Sequence, residues 1–289
     1  MKPAAFTYHA PRSLEEVFDL LAAHGEDAKI LAGGQSLGPM MNLRLAQPGH
    51  VIDLNGIAGL DFIREENGAL AIGALARHRA VETSPLVAEA CPILARAAAT
   101  VGHYVIRHRG TMGGSLAHAD PAAQFPLIAV LLGAEVTLAS PRGTRKIPAG
   151  EFFVSILTTA IAADEVITKV CFPARAAGEG WGFRMLSRRV GDFAIVAAAA
   201  TVTLHAGRVA KLRLALGGVE DRPVALTELA SELTGAEPDA AWLARAASGT
   251  ASGIEPQDDP KVPAVYRREL AEVLTRRALE DCLGTANEG

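Results

Sequence analysis

Two glycine pairs, each beside a small hydroxyl side chain, are the residues of this sequence best suited to bind an anion. The first pair, Gly33-Gly34, follows the apolar run 30–32 and precedes Ser36. Glycine lets backbone N–H groups approach an anion closely, and a serine hydroxyl adds a further donor. The pattern is typical both of a phosphate-binding loop that follows a strand and of a tight turn.

The second pair, Gly113-Gly114, lies between Thr111 and Ser115. Two such loops could hold one diphosphate from two sides, mainly with neutral donors, because only Lys29 and Arg109 flank them with positive charge. Neither loop has the Gly-x-Gly-x-x-Gly spacing, and no Gly-Lys-Ser/Thr occurs in the sequence. The dinucleotide-binding and P-loop fingerprints are therefore excluded, and the ligand requires another class of site.

Composition narrows the function classes. The 289 residues include 28 basic and 32 acidic ones without a long block of like charge, which argues against a nucleic-acid or anionic-membrane partner. The first residues lack the apolar core of a signal peptide, and the apolar stretch 193–204 is well short of the roughly 20 residues that span a bilayer. We therefore expect a cytoplasmic protein with no membrane insertion.

The three cysteines, Cys91, Cys171 and Cys282, are scattered and form no Cys-x-x-Cys pair. We expect buried free thiols, and no metal or iron–sulfur site in this chain, because such clusters need several neighbouring ligands. Iron–sulfur clusters that exchange electrons with this protein would have to lie in another chain. We also find no nucleophile or acid–base pair at motif spacing, so no catalytic residue is predicted.

Turn signals and apolar periodicity predict an α+β chain with two domains, 1–175 and 181–283, joined by a small, polar, glycine-containing linker. In the first domain we expect helices at 13–25, 39–45, 84–101 and 122–132, with Ser13 and Glu16 forming a capping box and Pro39 at the first helical position. Strands are expected at 6–9, 28–31, 51–54, 135–139, 145–147 and 166–172, with a hairpin at 62–72 around Asn67-Gly68. The second domain is predicted to hold strands at 181–186, 194–204 and 209–216 and helices at 226–233, 238–247 and 262–282.

The two glycine motifs, 32–37 and 111–115, resemble the paired FAD-binding motifs of the medium subunit of molybdenum hydroxylases, the carbon monoxide dehydrogenase and xanthine dehydrogenase family. Segments 42–54, 152–167 and 187–194 also look like family features. The resemblance implies a two-part FAD-binding domain of the vanillyl-alcohol-oxidase (PCMH) type, built from two α/β subdomains. A small C-terminal flavoprotein domain with a three-stranded antiparallel sheet and helices is expected to follow.

The resemblance assigns both motifs to FAD. The residues carried over are Leu31, Ala32, Gly33, Gly34, Gln35, Ser36, Leu37, Thr111, Met112, Gly113, Gly114 and Ser115. Asp120 is expected to hold a ribose hydroxyl or to cap the following helix, and His118 to approach the flavin or close the loop. Val101 and Gly102 are placed at the adenosine end.

Three further residues are expected near the flavin ring. Ile167 would contact it from the last strand of the first domain, and Arg184 would replace a lysine that some relatives carry there. Phe193 would shield or stack on the ring, or else pack in the core.

The implied function is electron transfer. A molybdenum–pterin large subunit would hydroxylate the substrate, and two-iron two-sulfur clusters in a small subunit would pass electrons to FAD in this chain and then to an external acceptor. The family leads us to expect a dimer of heterotrimers. Two alternatives are a self-contained FAD oxidoreductase of the same fold and a non-catalytic assembly subunit.

Overall fold

The computed structural model of the protein describes residues 1–287, and its first unit is a three-stranded parallel sheet. In chain order its elements are β1 (Thr7–His9), α1 (Leu14–His24), a 3-10 turn (Gly25–Asp27), β2 (Ala28–Leu31), α2 (Leu37–Asn42), β3 (His50–Asp53) and a second 3-10 turn (Leu54–Gly56). β3 lies between β1 and β2 and runs parallel to both. The first glycine motif therefore leaves the sheet at its carboxyl edge, directly after β2.

Local sequence explains α1. The Ser13 hydroxyl accepts a hydrogen bond from the N–H of Glu16 at 3.3 Å, and Val17 and Leu21 bury the inner face. The predicted capping box closes one residue earlier than expected, because the Glu16 carboxylate accepts from the N–H of Arg12 at 2.7 Å. The helix ends at Gly25, as predicted, with φ at +53°.

The second unit is a five-stranded antiparallel sheet with helices on it, in strand order β4-β5-β10-β6-β7. Its elements are β4 (Ile63–Glu66), β5 (Ala69–Gly73), α3 (His78–Thr83), α4 (Pro85–Ala90), α5 (Pro92–Ala98), α6 (Tyr104–Arg109), α7 (Met112–His118), α8 (Gln124–Leu132), β6 (Glu135–Ser140), β7 (Gly143–Pro148), α9 (Ala149–Phe152), β8 (Phe153–Ser155), β9 (Thr158–Thr159) and β10 (Val166–Pro173). The predicted turn between β4 and β5 is confirmed, with Asn67 and Gly68 both at positive φ. Buried aromatic and aliphatic side chains, such as Phe125, Phe152 and Leu94, fill the core.

Several helix predictions for this half of the chain were wrong. The helix expected at 84–101 is two helices, α4 and α5, because Pro92 has no N–H to continue the first one past Cys91. Helix α2 begins at Leu37, so Pro39 is its third residue and not its first. The second glycine motif is not a loop, since Thr111 caps α7 and both glycines lie in its first turn.

The last unit is an antiparallel sheet covered by helices. It contains β11 (Glu179–Leu186), β12 (Val196–His205), β13 (Arg208–Gly217), β14 (Val224–Ala225), α10 (Thr227–Leu233), α11 (Ala240–Ser252) and α12 (Ala264–Asn287). The sheet has four strands and not the predicted three, because β14 adds a two-residue edge beside β13 that is too short to show alternation. α12 lies directly on β11, where a β-carbon at Gly180 or Gly182 would overlap the helix backbone.

Two of the three cysteines match the expectation of buried thiols, and Cys171 is half-buried instead. Burial raises the pKa of the Cys91 thiol to about 12, so it stays protonated. Within residues 1–287, no helix combines the length and the apolar character that crossing a bilayer requires.

Candidate functional site: a cavity between the two glycine motifs

A cavity of about 570 Å³ lies between the two glycine motifs, and most of the predicted site residues line it. They are Leu31, Ala32, Gly33, Gly34, Gln35, Ser36, Leu37, Val101, Thr111, Gly113, Gly114, Ser115, His118, Ile167 and Phe193. Lys29 also lines it, whereas Arg109 does not. This volume is typical of a pocket for a small molecule or cofactor.

The first motif presents unused hydrogen-bond donors to this cavity. Among the residues that the structure describes, none accepts a hydrogen bond from the backbone N–H of Gly33, Gly34, Gln35, Ser36 or Leu37. Gly34 has φ at +70°, a conformation that glycine adopts without strain, and the Ser36 hydroxyl does not cap α2. Consecutive N–H groups of this kind form a concave site for an anion.

The second motif uses its N–H groups internally. Met112 donates to the carbonyl of Ala76 at 2.9 Å, Gly113 to that of Ala74 at 2.8 Å, and Gly114 to the hydroxyl of Thr111 at 3.1 Å. The N–H groups of Gly113 and Gly114, candidate donors to a diphosphate, therefore have partners within the protein. Their absent side chains matter instead, because a β-carbon at Gly113 would lie 2.7 Å from that of Ala74.

Gly33 of the first motif touches the two residues that lead into the second motif. A β-carbon there would overlap the carbonyl oxygen of Arg109 and lie 2.7 Å from the Cα of Gly110. Behind the contact, the Arg77 guanidinium donates to the carbonyl of Arg109 at 3.0 Å and to the side-chain oxygen of Asn55 at 2.6 Å. Asn55 in turn donates to the carbonyl of Ala32 at 2.8 Å, so one polar network ties both motifs together.

His78 is a cavity residue that sequence reasoning missed. Its ring is buried, packs edge-on against Phe125, and carries a hydrogen bond between Nε2 and the carbonyl oxygen of Thr111 at 2.9 Å. Because a carbonyl only accepts, the proton is on Nε2, and Nδ1 is left as an acceptor with no partner among the described residues. Burial lowers the pKa of His78 to about 4, so the ring is neutral at physiological pH.

Four predicted residues lie outside the cavity. Met112 is fully buried in the core. Asp120 accepts a hydrogen bond from the N–H of Ala122 at 2.8 Å. The alternative that it caps the following helix is wrong, because the N-cap residue of α8 is Ala123. Gly102 and Arg184 line a second cavity of about 480 Å³, where Arg184 makes a bidentate pair with Asp281 of α12 at 2.6 and 2.7 Å.

The remaining predicted residues line other parts of the cavity wall. Ile167 is buried at the start of β10. Phe193 is 56% exposed, so the alternative that it packs in the core is wrong. His118 lies half-buried at the end of α7, facing the same space.

Family comparisons agree with this geometry. Residues 4–175 match the model of the FAD-binding domain in molybdopterin dehydrogenases, and residues 181–282 match the C-terminal domain of carbon monoxide dehydrogenase flavoproteins. The chain belongs to the family of FAD-carrying medium subunits of the molybdenum hydroxylases.

Relatives match this medium subunit over almost its whole length. The alpha subunit of the 6-hydroxypseudooxynicotine dehydrogenase complex of Paenarthrobacter nicotinovorans is 39% identical, over 99% of this chain and 97% of its own. The structure of carbon monoxide dehydrogenase from Hydrogenophaga pseudoflava superposes with a TM-score of 0.95 at 37% identity and covers 99% of both chains. Quinoline 2-oxidoreductase from Pseudomonas putida 86 gives a TM-score of 0.94 at 39% identity, over 99% of this chain and 100% of its own.

The medium subunit is thus an oxidoreductase subunit with FAD as its cofactor, and in homologous complexes the iron–sulfur clusters and the molybdenum–pterin cofactor belong to other subunits. The cavity fits FAD on its own chemistry. The free N–H groups of the first motif suit a diphosphate.

Proposed function

We propose that this chain transfers electrons, through FAD held between its two glycine motifs, from iron–sulfur clusters of a partner subunit to an external acceptor. The observation that carries the proposal is the row of unused N–H groups at 33–37, which faces a cavity walled by the second motif. FAD, when bound, supplies a group that accepts electrons singly and releases them singly or in pairs.

Residues of this chain would bind and orient the cofactor. The N–H groups at 33–37, with the hydroxyls of Ser36 and Ser115, would hold the diphosphate. Leu31 and Leu37 would pack on apolar parts of the cofactor, and Phe193 and Ile167 would flank the ring. His78 would support the second motif through its hydrogen bond to the Thr111 carbonyl.

The cavity is poorly equipped for acid–base chemistry on an organic substrate. Its titratable side chains among the described residues are Lys29, His78, His118 and Glu165. Glu165 is bound to Arg145 at 2.5 and 2.7 Å, which lowers the pKa of its carboxyl, and His78 is held neutral. This supports electron transfer over a self-contained oxidase, which needs its own general acid or base.

We further propose the partners that the family resemblance implies: an iron–sulfur small subunit and a molybdenum–pterin large subunit, assembled as a dimer of heterotrimers in the cytoplasm. Exposed apolar side chains give such partners something to cover. They include Leu45, Val105, Ile156 and Val190. The organic substrate would bind in the large subunit, since relatives named for carbon monoxide and for quinoline resemble this chain equally well.

We also propose that residues 1–175 and 181–283 are the two domains, since β10 ends at Pro173 and the next strand opens the four-stranded sheet.

The test is purification of the tagged chain from its native host, followed by mass spectrometry and an absorption spectrum. Two stoichiometric partners with combined flavin and iron–sulfur absorption are expected. A lone yellow protein that reduces its flavin with a small substrate would favour the self-contained oxidase, and a complex without flavin would favour the assembly role; either result contradicts the proposal.

A further inference from the structure

Three histidines from separate elements meet at the surface of the parallel sheet. His9 ends β1, His24 ends α1 and His50 begins β3. One ring nitrogen from each lies within 4.8 Å of those of the other two, and Nε2 of His9 is 2.9 Å from Nδ1 of His50. The rings of His24 and His50 stack with their centres 3.6 Å apart.

This cluster is separate from the cofactor cavity. β2 and β3 pair in parallel with Ala28 opposite His50 and Leu31 opposite Asp53, so His50 lies at the amino end of this strand pair. His9 reaches it from the edge strand β1, where it lies opposite Ile52. The first glycine motif leaves from the other end, and none of the three histidines lines the cavity.

Three half-buried imidazoles at this spacing are suited to a transition-metal ion. We propose that His9, His24 and His50 bind a divalent cation of the zinc type, with water as the fourth ligand. A tetrahedral zinc ion with Zn–N bonds of about 2.0–2.1 Å separates its ligand nitrogens by roughly 3.3–3.4 Å. The facing nitrogens of His9 and His50 are within a few tenths of an ångström of that separation, whereas the His24 ring must turn out of its stack to point at the same ion.

The surroundings favour a cation. The Asp27 carboxylate lies beside the cluster, where it accepts a hydrogen bond from the N–H of Gly49 at 2.8 Å, and among the described residues no lysine or arginine pairs with it. A bound ion would cross-link β1, α1 and β3, adding to the strand pairing, the apolar contacts and the hydrogen bond that Tyr8 donates to Asp53 at 2.6 Å. It would therefore stabilise the folded state of the first unit. The proposal departs from the expectation that this chain holds no metal site. That expectation rested on the cysteine pattern, whereas these ligands are histidines, and His9 and His50 are 41 positions apart in the sequence.

The test uses the full chain, without a histidine tag and stripped of metal. Titration with Co²⁺ is followed by difference absorption, which subtracts the flavin, and Zn²⁺ is then added as a competitor. We expect one Co²⁺ per chain with the intense visible bands of tetrahedral coordination, displacement by Zn²⁺, and a Zn²⁺-dependent rise in Tm.

The variants His24→Gln and His9→Gln should each weaken Zn²⁺ binding by about 10- to 100-fold or more. Loss of a residue that merely hydrogen-bonds to a metal ligand already weakens binding by about that factor. His205→Gln, at the exposed end of β12, is the matched control and should bind as the unmodified chain does. Circular dichroism establishes that each variant is folded. Absence of tetrahedral bands, or equal Zn²⁺ affinity in the unmodified chain and both site variants, would overturn the proposal.

Discussion

The two glycine motifs share small residues and a serine but differ in what their backbone N–H groups bind. In the first motif, the N–H groups of residues 33–37 have no partner among the described residues and face the cavity. In the second, those of Met112, Gly113 and Gly114 are taken by Ala76, Ala74 and the Thr111 hydroxyl. The first motif is a set of donors, and the second is a closely packed wall.

Tertiary context causes the difference. The segment between β5 and α3 runs alongside the second motif. Its Ala74 and Ala76 carbonyls accept hydrogen bonds from Gly113 and Met112, the first N–H groups of helix α7. Within residues 1–287, no carbonyl accepts a hydrogen bond from the N–H groups at 33–37 of the first motif. A glycine in each motif is required for a different reason: Gly33 for close contact with the backbone of Arg109 and Gly110, just before the second motif, and Gly113 for packing on Ala74.

The largest effect is expected at Gly33. Gly33→Ala would push its methyl group into the Arg109 carbonyl and Gly110. We expect a loss of about 3 kcal/mol of stability and at least about a 100-fold weaker Kd for FAD, since overpacking against backbone cannot relax locally. Urea unfolding and a flavin fluorescence titration measure both.

Gly38→Ala is the matched control for Gly33→Ala. Gly38 lies in α2, and a β-carbon there meets nothing within 4 Å. It should leave FAD binding unchanged and keep or slightly raise stability. Equal damage in the two variants would show that the contact of Gly33 with Arg109 and Gly110 is not what matters.

The second prediction concerns His78, which lies in the cavity wall, and the pH dependence of the free energy of unfolding. The folded-state pKa of His78 is lowered to about 4, mainly by burial, so the unfolded chain takes up a proton at His78 near pH 6.5 that the folded chain refuses. Stability therefore falls as pH drops from about 6.5 to about 4, by roughly 3 kcal/mol in total, and His78 contributes no further change below that.

His78→Gln keeps a donor for the Thr111 carbonyl but removes this titration. The difference in unfolding free energy between wild type and variant should shift by about 3 kcal/mol between pH 7 and pH 4, as measured by urea unfolding of the FAD-free chain. The exposed His205→Gln should retain the wild-type pH dependence. If the unfolding free energy of His78→Gln depends on pH in the same way as that of His205→Gln, His78 is not held neutral in the folded chain.

Two variants with smaller expected effects, one in each motif, compare the contributions of the motifs to stability and to FAD binding. Thr111→Val removes the cap of α7 and should cost about 1 kcal/mol of stability, with little change in Kd for FAD beyond that loss. Ser36→Ala should do the reverse: stability within about 0.5 kcal/mol, and a 5- to 10-fold weaker Kd, which is about the worth of one hydrogen bond. If Thr111→Val weakens FAD binding more than Ser36→Ala does, the first motif is not the main source of hydrogen-bond donors to FAD.

The smallest expected effect on stability comes from a residue of neither motif. Phe193 is 56% exposed, so Phe193→Ala should change the unfolding free energy by less than about 0.5 kcal/mol. Loss of an aromatic contact should still weaken FAD binding by about 1 kcal/mol and alter the flavin spectrum. An unchanged spectrum and Kd would place the ring away from Phe193.

Strong local signals fixed much of the fold in advance. β2 has the predicted bounds, 28–31, because an apolar run ends at a glycine pair, and the Asn67-Gly68 turn sets its own hairpin. Helices α3, α6 and α7 were missed because six or seven residues are too few for a periodic pattern. β14 escaped for the same reason.

The cavity residues that lie in the two sequence motifs were predictable. Those whose position depends on hydrogen bonds between residues far apart in the sequence were not. Both motifs do meet at one cavity, as the resemblance implied. His78 and its Thr111 partner are 33 residues apart, and Arg77 and Asn55 are 22 apart, so no local pattern marks them. Arg184 was placed near the flavin by analogy, but its pairing with Asp281 depends on α12, nearly a hundred residues later.

A crystal structure of the FAD-loaded chain is the most direct test of which motif donates hydrogen bonds to the diphosphate. We expect diphosphate oxygens that accept hydrogen bonds from N–H groups at 33–37, while Gly113 and Gly114 keep their bonds to Ala74 and Thr111. A diphosphate bound instead by the N–H groups of Gly113 and Gly114, with α7 unwound at its start, would contradict it.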